Sequence, residues 1–170
     1  MPDPGRRTIA LRTITGVAVR DALAVGGVLA AREDGRLRGV AVWLPPGRYP
    51  MSGRRKARTL PAMATLALRI PRTIADVARF GVSIDAAFPS EPVWYLQILG
   101  VHPDAQRRGL GLQLVQPTLA QADTTGTPCY LETAQPRNSA YYQRVGFHEL
   151  GRTAPLRLGG PPMTRMIRPV

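Results

Sequence analysis

The sequence predicts an α/β fold in which helices flank a mixed β-sheet. Segments with strand and helix character alternate between residues 93 and 145, an order that predicts parallel pairing of the strands. Nearer the start, two apolar runs flank Asp34-Gly35, which predicts an antiparallel hairpin. The chain has 170 residues, 44% of them hydrophobic, which suits one domain with a sizeable core.

The first part of the chain predicts a helix followed by the hairpin. Apolar residues recur at helical spacing over residues 8–24. Strands are expected at residues 25–33 and 36–44, and Pro45-Pro46-Gly47 ends the second of them.

Residues 51–80 combine helical apolar spacing with seven basic side chains and one acid, Asp76. Pro61 and Pro71 are expected to break or kink this stretch into two or three segments, because proline disrupts the interior of a helix. An amphipathic helix over a substrate cleft and a plain solvated face both fit the pattern.

Residues 93–101 are rich in β-branched and aromatic side chains and predict a buried strand. After it we expect, in order, a turn, a helix, a strand, a short helix and closing strands, at residues 102–104, 106–123, 128–133, 138–145 and from 147 onward. Pro117 should bend the first of these helices, Gly146 should end the second, and a turn is expected around Gly159-Gly160-Pro161.

Composition argues against several classes of function. The formal net charge is +12, but the basic residues are spread along the chain and only 6% of residues are aromatic. The chain therefore has few aromatic side chains on which bases could stack, which argues against nucleic acid as a partner. With one cysteine, Cys129, and two histidines, His102 and His148, neither an intrachain disulfide nor a metal site is expected.

Hydropathy predicts a cytoplasmic protein without a membrane segment. The sequence contains no run of about 18 apolar residues. Met1 opens a polar stretch that lacks the apolar core of a signal peptide.

A glycine-containing loop, Gln106-Arg107-Arg108-Gly109-Leu110-Gly111, lies between a predicted strand and a predicted helix. The first backbone N–H groups of a helix have no intrahelical partner and lie at the positive end of its dipole. The two glycines let phosphates approach this backbone, and the two arginines add charge. A Walker A pattern is absent, and a G-x-G-x-x-G fingerprint would need glycine where Leu114 stands.

Two motifs carry a resemblance to a known family. Val101-His102-Pro103 followed by Gln106-x-x-Gly109-x-Gly111 resembles the acetyl-coenzyme A signature of the GNAT superfamily, [QR]-x-x-G-x-[GA] after a V-x-P strand end. Asn138-Ser139-Ala140-Tyr141-Tyr142-Gln143-Arg144-Val145-Gly146-Phe147 resembles its N-x-x-[AP]-x-x-[FY]-Y-x-x-x-G-F region in a compact form. Within the superfamily, residues 91–96, 100–104 and 131–138 are similar to puromycin N-acetyltransferase and its relatives. The likeness is dense over residues 91–147 and thin before them.

The resemblance implies a mixed, mostly antiparallel GNAT sheet with flanking helices, in which a parallel strand pair splays around acetyl-coenzyme A, the co-substrate. It implies one GNAT domain over residues 1–170, with a positive surface that attracts the phosphates of that co-substrate. GNAT domains normally open with a strand and a helix before the segment that Pro2-Asp3-Pro4 matches. This domain is therefore expected to be N-terminally short: the chain starts late, another subunit fills the gap, or the acceptor site is unusually open. The strand at residues 25–33 would then be an exposed sheet edge, which predicts a homodimer through that edge.

The resemblance also implies roles for two side chains. In GNAT enzymes the amine attacks the thioester directly, so protein groups manage protons and charge. Tyr142 occupies the position of the general acid that protonates the leaving thiolate; the alternative is a core tyrosine packed beside Phe147. Glu132, in a Leu-Glu-Thr run that the puromycin-type relatives share, is either a general base with a raised pKa or a structural partner of an arginine.

Cofactor contacts are implied for three groups of residues. A strand end supplies backbone groups to the pantetheine arm and the thioester, the loop holds the pyrophosphate, and a helix-start asparagine caps its helix, binds coenzyme A, or does both. These residues are Leu99, Gly100, Val101, Gln106, Arg107, Arg108, Gly109, Leu110, Gly111 and Asn138.

The leading interpretation is an N-acetyltransferase that moves an acetyl group to the amine of a small molecule, with an amine antibiotic as one candidate acceptor. Protein or peptide N-acetylation is a second reading. A third is a degenerate GNAT domain that binds acetyl-coenzyme A or a partner without turnover. The motifs do not cover residues 45–90, where acceptor specificity is expected to lie.

Overall fold

The computed structural model describes residues 4–155 and 159–170, with the side chains of Arg72 and Thr73 excepted. Pro2 and Asp3, on which the comparison with the family's opening segment depends, lie outside these residues. The elements are α1 (Pro4–Leu23), β1 (Val28–Glu33), β2 (Arg36–Leu44), α2 (Gly53–Arg69), α3 (Pro71–Ala87), β3 (Trp94–Val101), α4 (Leu110–Thr125), β4 (Cys129–Thr133), α5 (Pro136–Gln143), β5 (His148–Thr153) and β6 (Met163–Arg168).

The six strands form one sheet in the order β1-β2-β3-β4-β6-β5. Every neighbouring pair is antiparallel except β3 and β4, which are parallel. The predicted mixed, mostly antiparallel sheet with flanking helices is therefore confirmed.

The hairpin between β1 and β2 forms as predicted. Asp34 and Gly35 both have positive φ values, 52° and 72°, and such a two-residue turn matches the right-handed twist of the flanking strands. The first strand begins three residues later than expected, because the amides of Val25 and Gly27 donate to the carbonyl oxygen of Ala22 and close the end of α1.

The two prolines in residues 51–80 behave differently. Pro71 begins α3, where its missing N–H costs no intrahelical bond. Pro61 lies inside α2 and does not end it, so of the expected two or three segments the stretch forms two, α2 and α3. Tertiary packing outweighs the lost bond, since Leu66 of α2 is fully buried in a cluster with Ala10 and Ile70. Helix α4 likewise continues past Pro117.

Two apolar clusters lie on opposite faces of the sheet, and successive side chains of β2 belong to them alternately. Ala41 and Trp43 belong to the cluster that packs against α4, whereas Val42 and Leu44 belong to the one on the other face, beneath α1. Helices thus cover both faces.

Strands β3 and β4 pair over three residues only, Trp94–Leu96 against Cys129–Leu131. Beyond them β3 stays with β2 and β4 stays with β6, so the parallel pair separates as predicted. A β-bulge contributes to this separation, because the register with β2 shifts between Leu96 and Ile98 and leaves Gln97 without a partner.

Candidate active site

A cavity of about 700 Å³ opens where β3 ends and α4 begins. Its walls come from β3, the loop before α4, the first turn of α4, and α5. The lining residues are Leu99, Val101, Ala105, Gln106, Arg107, Gly109, Leu110, Gly111, Leu112, Arg137, Asn138, Tyr141, Tyr142 and Arg144. The cavity therefore brings together both motifs that the sequence singled out.

The loop before α4 places backbone N–H groups at the cavity. Arg107 and Gly109 have left-handed backbones, with φ values of 62° and 81°, and Gly109 directly precedes the helix. The first helical bond there runs from the amide of Gln113 to the carbonyl of Gly109, at 3.1 Å. The amides of residues 110–112 thus have no acceptor within the helix, which suits an anion.

The two glycines of the loop serve different purposes. Gly109 has a backbone conformation that residues with a Cβ rarely adopt. At Gly111 the reason is space, because a Cβ there would lie 3.2 Å from the hydroxyl oxygen of Tyr141. The hydroxyl of Tyr141 is buried and has no hydrogen-bond partner within the described part of the chain.

The two arginines of the loop are placed differently. Arg107 lines the cavity. Arg108 is not among the lining residues; its Nη1 lies 3.2 Å from Glu33 Oε2, so it ties the loop to the end of β1. The phosphate-binding role of Arg108 stays a prediction.

Helix α5 begins earlier than the sequence analysis expected. Pro136 is its first residue and Gln135 precedes it, so Asn138 is not the N-cap. Proline has the φ angle that the first helical position requires, which explains the earlier start. The Nδ2 of Asn138 donates to Thr133 Oγ1 at 3.3 Å, and the side chain faces the cavity.

Tyr142 packs in the core and also reaches the cavity, and its role as general acid stays a prediction. The residue is 8% exposed, and its ring packs against Phe147 and Tyr141, with centroid separations of 5.8 and 5.1 Å. It also lines the cavity. Burial, with a smaller contribution from the charge of Tyr141, raises the pKa of Tyr142, so its phenol remains a proton donor well above neutral pH.

Glu132 lies on the sheet face opposite α4, at the first position of β4 beyond the short parallel pairing. Its two carboxylate oxygens accept hydrogen bonds from Tyr95 at 2.7 Å and Tyr130 at 2.8 Å. Burial raises the pKa of Glu132, and the two phenols and then the positive charge of Arg165 oppose that rise. Arg165 is its cross-strand neighbour and donates to the carbonyl of Ala87, at the end of α3, at 2.6 Å.

The sequence model of the acetyltransferase (GNAT) family matches residues 15–147. The chain belongs to the GNAT acetyltransferase family. Solved structures agree with this assignment. The chain is similar to a Corynebacterium glutamicum "histone acetyltransferase HPA2 and related acetyltransferase", with 26% identity, 99% of this chain and 78% of that chain covered, and a TM-score of 0.69.

Two more distant structures share the fold of this acetyltransferase. Arabidopsis thaliana Naa50, in complex with the bisubstrate analogue CoA-Ac-MVNAL, is 12% identical over 90% of this chain and 80% of that chain, with a TM-score of 0.58. Drosophila melanogaster polyamine N-acetyltransferase is 16% identical over 88% and 77% of the two chains, with a TM-score of 0.56. These two structures show that the fold of this chain is the one found in known N-acetyltransferases.

The chemistry of the cavity fits coenzyme A. Free amides of the α4 N-terminus and three arginines face it, and no aspartate or glutamate is among its lining residues. Leu99 and Val101 line it at the end of β3, which places apolar strand residues beside the N-terminus of α4. Among the described residues there is no cluster of three or more potential metal ligands. No helix in that part of the chain is long and apolar enough to cross a membrane.

The site of this GNAT domain contains residues that sequence reasoning missed. Tyr95 and Tyr130 hold Glu132, and Arg137 and Arg144 line the cavity. Arg137 directly precedes the second motif and Arg144 lies within it, which was the one available signal. Gly100, conversely, pairs with Val40 in the sheet and is not among the lining residues, so its contact with the pantetheine arm stays a prediction.

Proposed function

We propose that this GNAT acetyltransferase moves an acetyl group from acetyl-coenzyme A to the amine of a small molecule. The observation that carries the proposal is the separation of β3 and β4. The cofactor cavity lies on one face of the sheet beside that separation, and the Glu132 carboxylate lies on the other. A thioester and an amine that approach from opposite faces meet where the strands diverge.

Different groups of residues bind different parts of coenzyme A. The amides of residues 110–112 and the guanidinium of Arg107 bind the pyrophosphate. The loop is anchored to β3 by a hydrogen bond that Gln106 Nε2 donates to the carbonyl oxygen of Val101 at 3.0 Å. Backbone groups of residues 99–101 hold the pantetheine arm. Asn138, from α5, contributes to the wall of the cofactor cavity.

Glu132 and Tyr142 move the protons. Acetyl-coenzyme A supplies an acetyl group activated as a thioester: the amine nitrogen forms the new C–N bond as the C–S bond breaks. Glu132 accepts the proton that the amine loses, directly or through water, and Tyr142 donates its phenolic proton to the leaving sulfur. Burial raises the pKa of Tyr142, which keeps its phenol protonated near neutral pH as a general acid requires.

A small acceptor suits the surroundings of Glu132. Two phenols hold its carboxylate, and the end of α3 lies close by because Arg165 binds the carbonyl of Ala87. The likeness of residues 91–96 and 131–138 to puromycin N-acetyltransferase supports an aminonucleoside or related amine antibiotic as the first acceptor to test. A flexible peptide amine could reach the same carboxylate, and the description of the Corynebacterium relative favours keeping that acceptor class in the test.

The proposal is tested by incubating the purified protein with acetyl-coenzyme A and three acceptor sets: aminonucleosides, aliphatic amines and diamines, and peptides with free amines. Free thiol release and the mass of the acetylated product are measured together. We expect product with at least one small amine, and a loss of roughly 10²-fold or more in the Glu132→Gln variant. Product with peptides alone would reassign the acceptor class. Tight coenzyme A binding without turnover on any acceptor would favour a binding domain.

A further inference from the structure

The wall of the cofactor cavity carries more positive charge than the phosphate loop supplies. Arg107, Arg137 and Arg144 line the cavity, and no carboxylate does. Their neighbour Arg108 is bound to Glu33, but within the described ranges these three guanidinium groups have no carboxylate partner. Free arginines in a concave site favour an anionic ligand.

Arg137 lies in α5, Arg144 is the residue directly after that helix, and both line the cavity. Arg137 and Arg144 are seven residues apart, which on a helix is about two turns, or about 10 Å, with nearly the same direction. Arg144 keeps helical backbone angles, so this spacing applies to it. Tyr141 lies between them and also lines the cavity. Helix α5 thus presents a basic wall beside the N-terminus of α4.

Coenzyme A has two separate phosphate centres, and the cavity has two sets of groups for them. The diphosphate that links pantetheine to adenosine matches the free amides of residues 110–112 together with Arg107. The second centre is the phosphomonoester on the ribose 3′ oxygen, which is close to a dianion at neutral pH. A guanidinium offers paired N–H donors that match such a phosphate.

We propose that Arg137 and Arg144 form a subsite for the ribose 3′-phosphate, by which this enzyme selects coenzyme A over 3′-dephospho-coenzyme A. The proposal rests on the proposed function to the extent that a coenzyme A thioester occupies the cavity. It adds a specificity determinant on α5, away from the loop that binds the diphosphate.

The experiment measures the affinities of coenzyme A and 3′-dephospho-coenzyme A by calorimetry at one salt concentration. The wild type is compared with Arg137→Ala, Arg144→Ala and the double variant. Arg152→Ala, an exposed arginine of β5 that does not line the cavity, controls for the loss of one positive charge. Melting temperatures verify that each variant is folded.

We expect the wild type to bind coenzyme A about tenfold or more tightly than the dephospho form, since hydrogen bonds between charged groups are strong. The double variant should bind the two nearly equally, with its affinity for the dephospho form unchanged, and Arg152→Ala should keep the wild-type preference. Equal binding of both ligands by the wild type, or equal losses for both ligands in the variants, would overturn the subsite while leaving coenzyme A binding intact. If the wild type bound neither, the proposed function itself would fail.

Discussion

The hydroxyl of Tyr95 donates a hydrogen bond to Glu132 Oε2 at 2.7 Å. Tyr95 belongs to β3 and Glu132 to β4, and these two strands diverge at this point of the sheet. Tyr95 lies within the short parallel pairing of β3 and β4, and Glu132 lies one residue beyond its end. Tyr130 donates to the other oxygen of the same carboxylate. The carboxylate of Glu132 is therefore held in place at the point where β3 and β4 diverge.

The Glu132→Gln variant tests Glu132 as the general base. Glu132→Gln keeps the size of the side chain and removes its ability to take up a proton, so we expect kcat to fall by roughly 10²-fold with coenzyme A affinity unchanged. Because burial raises the pKa of Glu132, wild-type kcat should begin to fall, as pH is lowered, at a higher pH than an unperturbed glutamate would give. A pH–rate profile in which the variant keeps that acid limb would exclude Glu132 as its source.

The same shift has a consequence for stability. A carboxyl group with a raised pKa in the folded state binds its proton more tightly there than in the unfolded chain. Its contribution to the free energy of unfolding is present below the unfolded pKa and is lost as pH rises through the folded pKa. Urea denaturation of wild type and Glu132→Gln across this range should show their difference changing with pH in that direction. A difference that is constant with pH would contradict the shift.

Tyr142→Phe tests the general acid. The substitution keeps the ring packed against Phe147 and removes the phenolic proton, so kcat should fall by roughly 10²-fold while the dissociation constant of coenzyme A and the melting temperature stay the same. Pre-steady-state measurements must establish that chemistry, and not product release, limits the rate. If kcat under those conditions stays within about twofold of wild type, Tyr142 has only a packing role.

The glycines of the loop provide a matched pair of variants. Gly111→Ala introduces a Cβ 3.2 Å from the Tyr141 hydroxyl oxygen, so it should weaken coenzyme A binding severalfold by displacing that side chain. Adding Tyr141→Phe removes the contacting atom and should restore part of the affinity. Gly109→Ala is the control: it is strained by its φ of 81°, with open space around the site, so Tyr141→Phe should not rescue it. Calorimetry that finds no coupling between residues 111 and 141 would contradict the steric explanation.

The edge of the sheet predicts self-association. Strand β1 has a neighbour on one side only within the described sheet, and its unpaired N–H and C=O groups can bind a second strand. We expect light scattering at about 10 μM to report a homodimer, with a melting temperature that rises with protein concentration. Ala30→Lys, at an exposed position of β1, should yield a monomer. A wild-type monomer at this concentration would rule out the edge as an interface.

Local patterns determined much of this protein. The hairpin at Asp34-Gly35, the order of strands and helices after residue 93 and the glycine-containing loop before α4 all depend on neighbours in sequence. The φ angles of a turn and the free amides of a helix start are properties of a few consecutive residues, so their motifs are readable without a structure. At Pro61 the local pattern left two or three segments open, and the packing of Leu66 decides for two, because it keeps the helix intact across a residue that locally disfavours it.

Only the tertiary structure decided how the site is completed. Glu132 meets Tyr95 across 37 positions and Arg108 meets Glu33 across 75. Such pairings depend on strand register, on the bulge at Gln97 and on which face a side chain occupies, and a shift of one residue in a strand would reverse every face. The ion pair of Arg108 and the place of Arg137 and Arg144 in the cavity wall could therefore not be read from the sequence, because charge alone does not tell which cations already have partners.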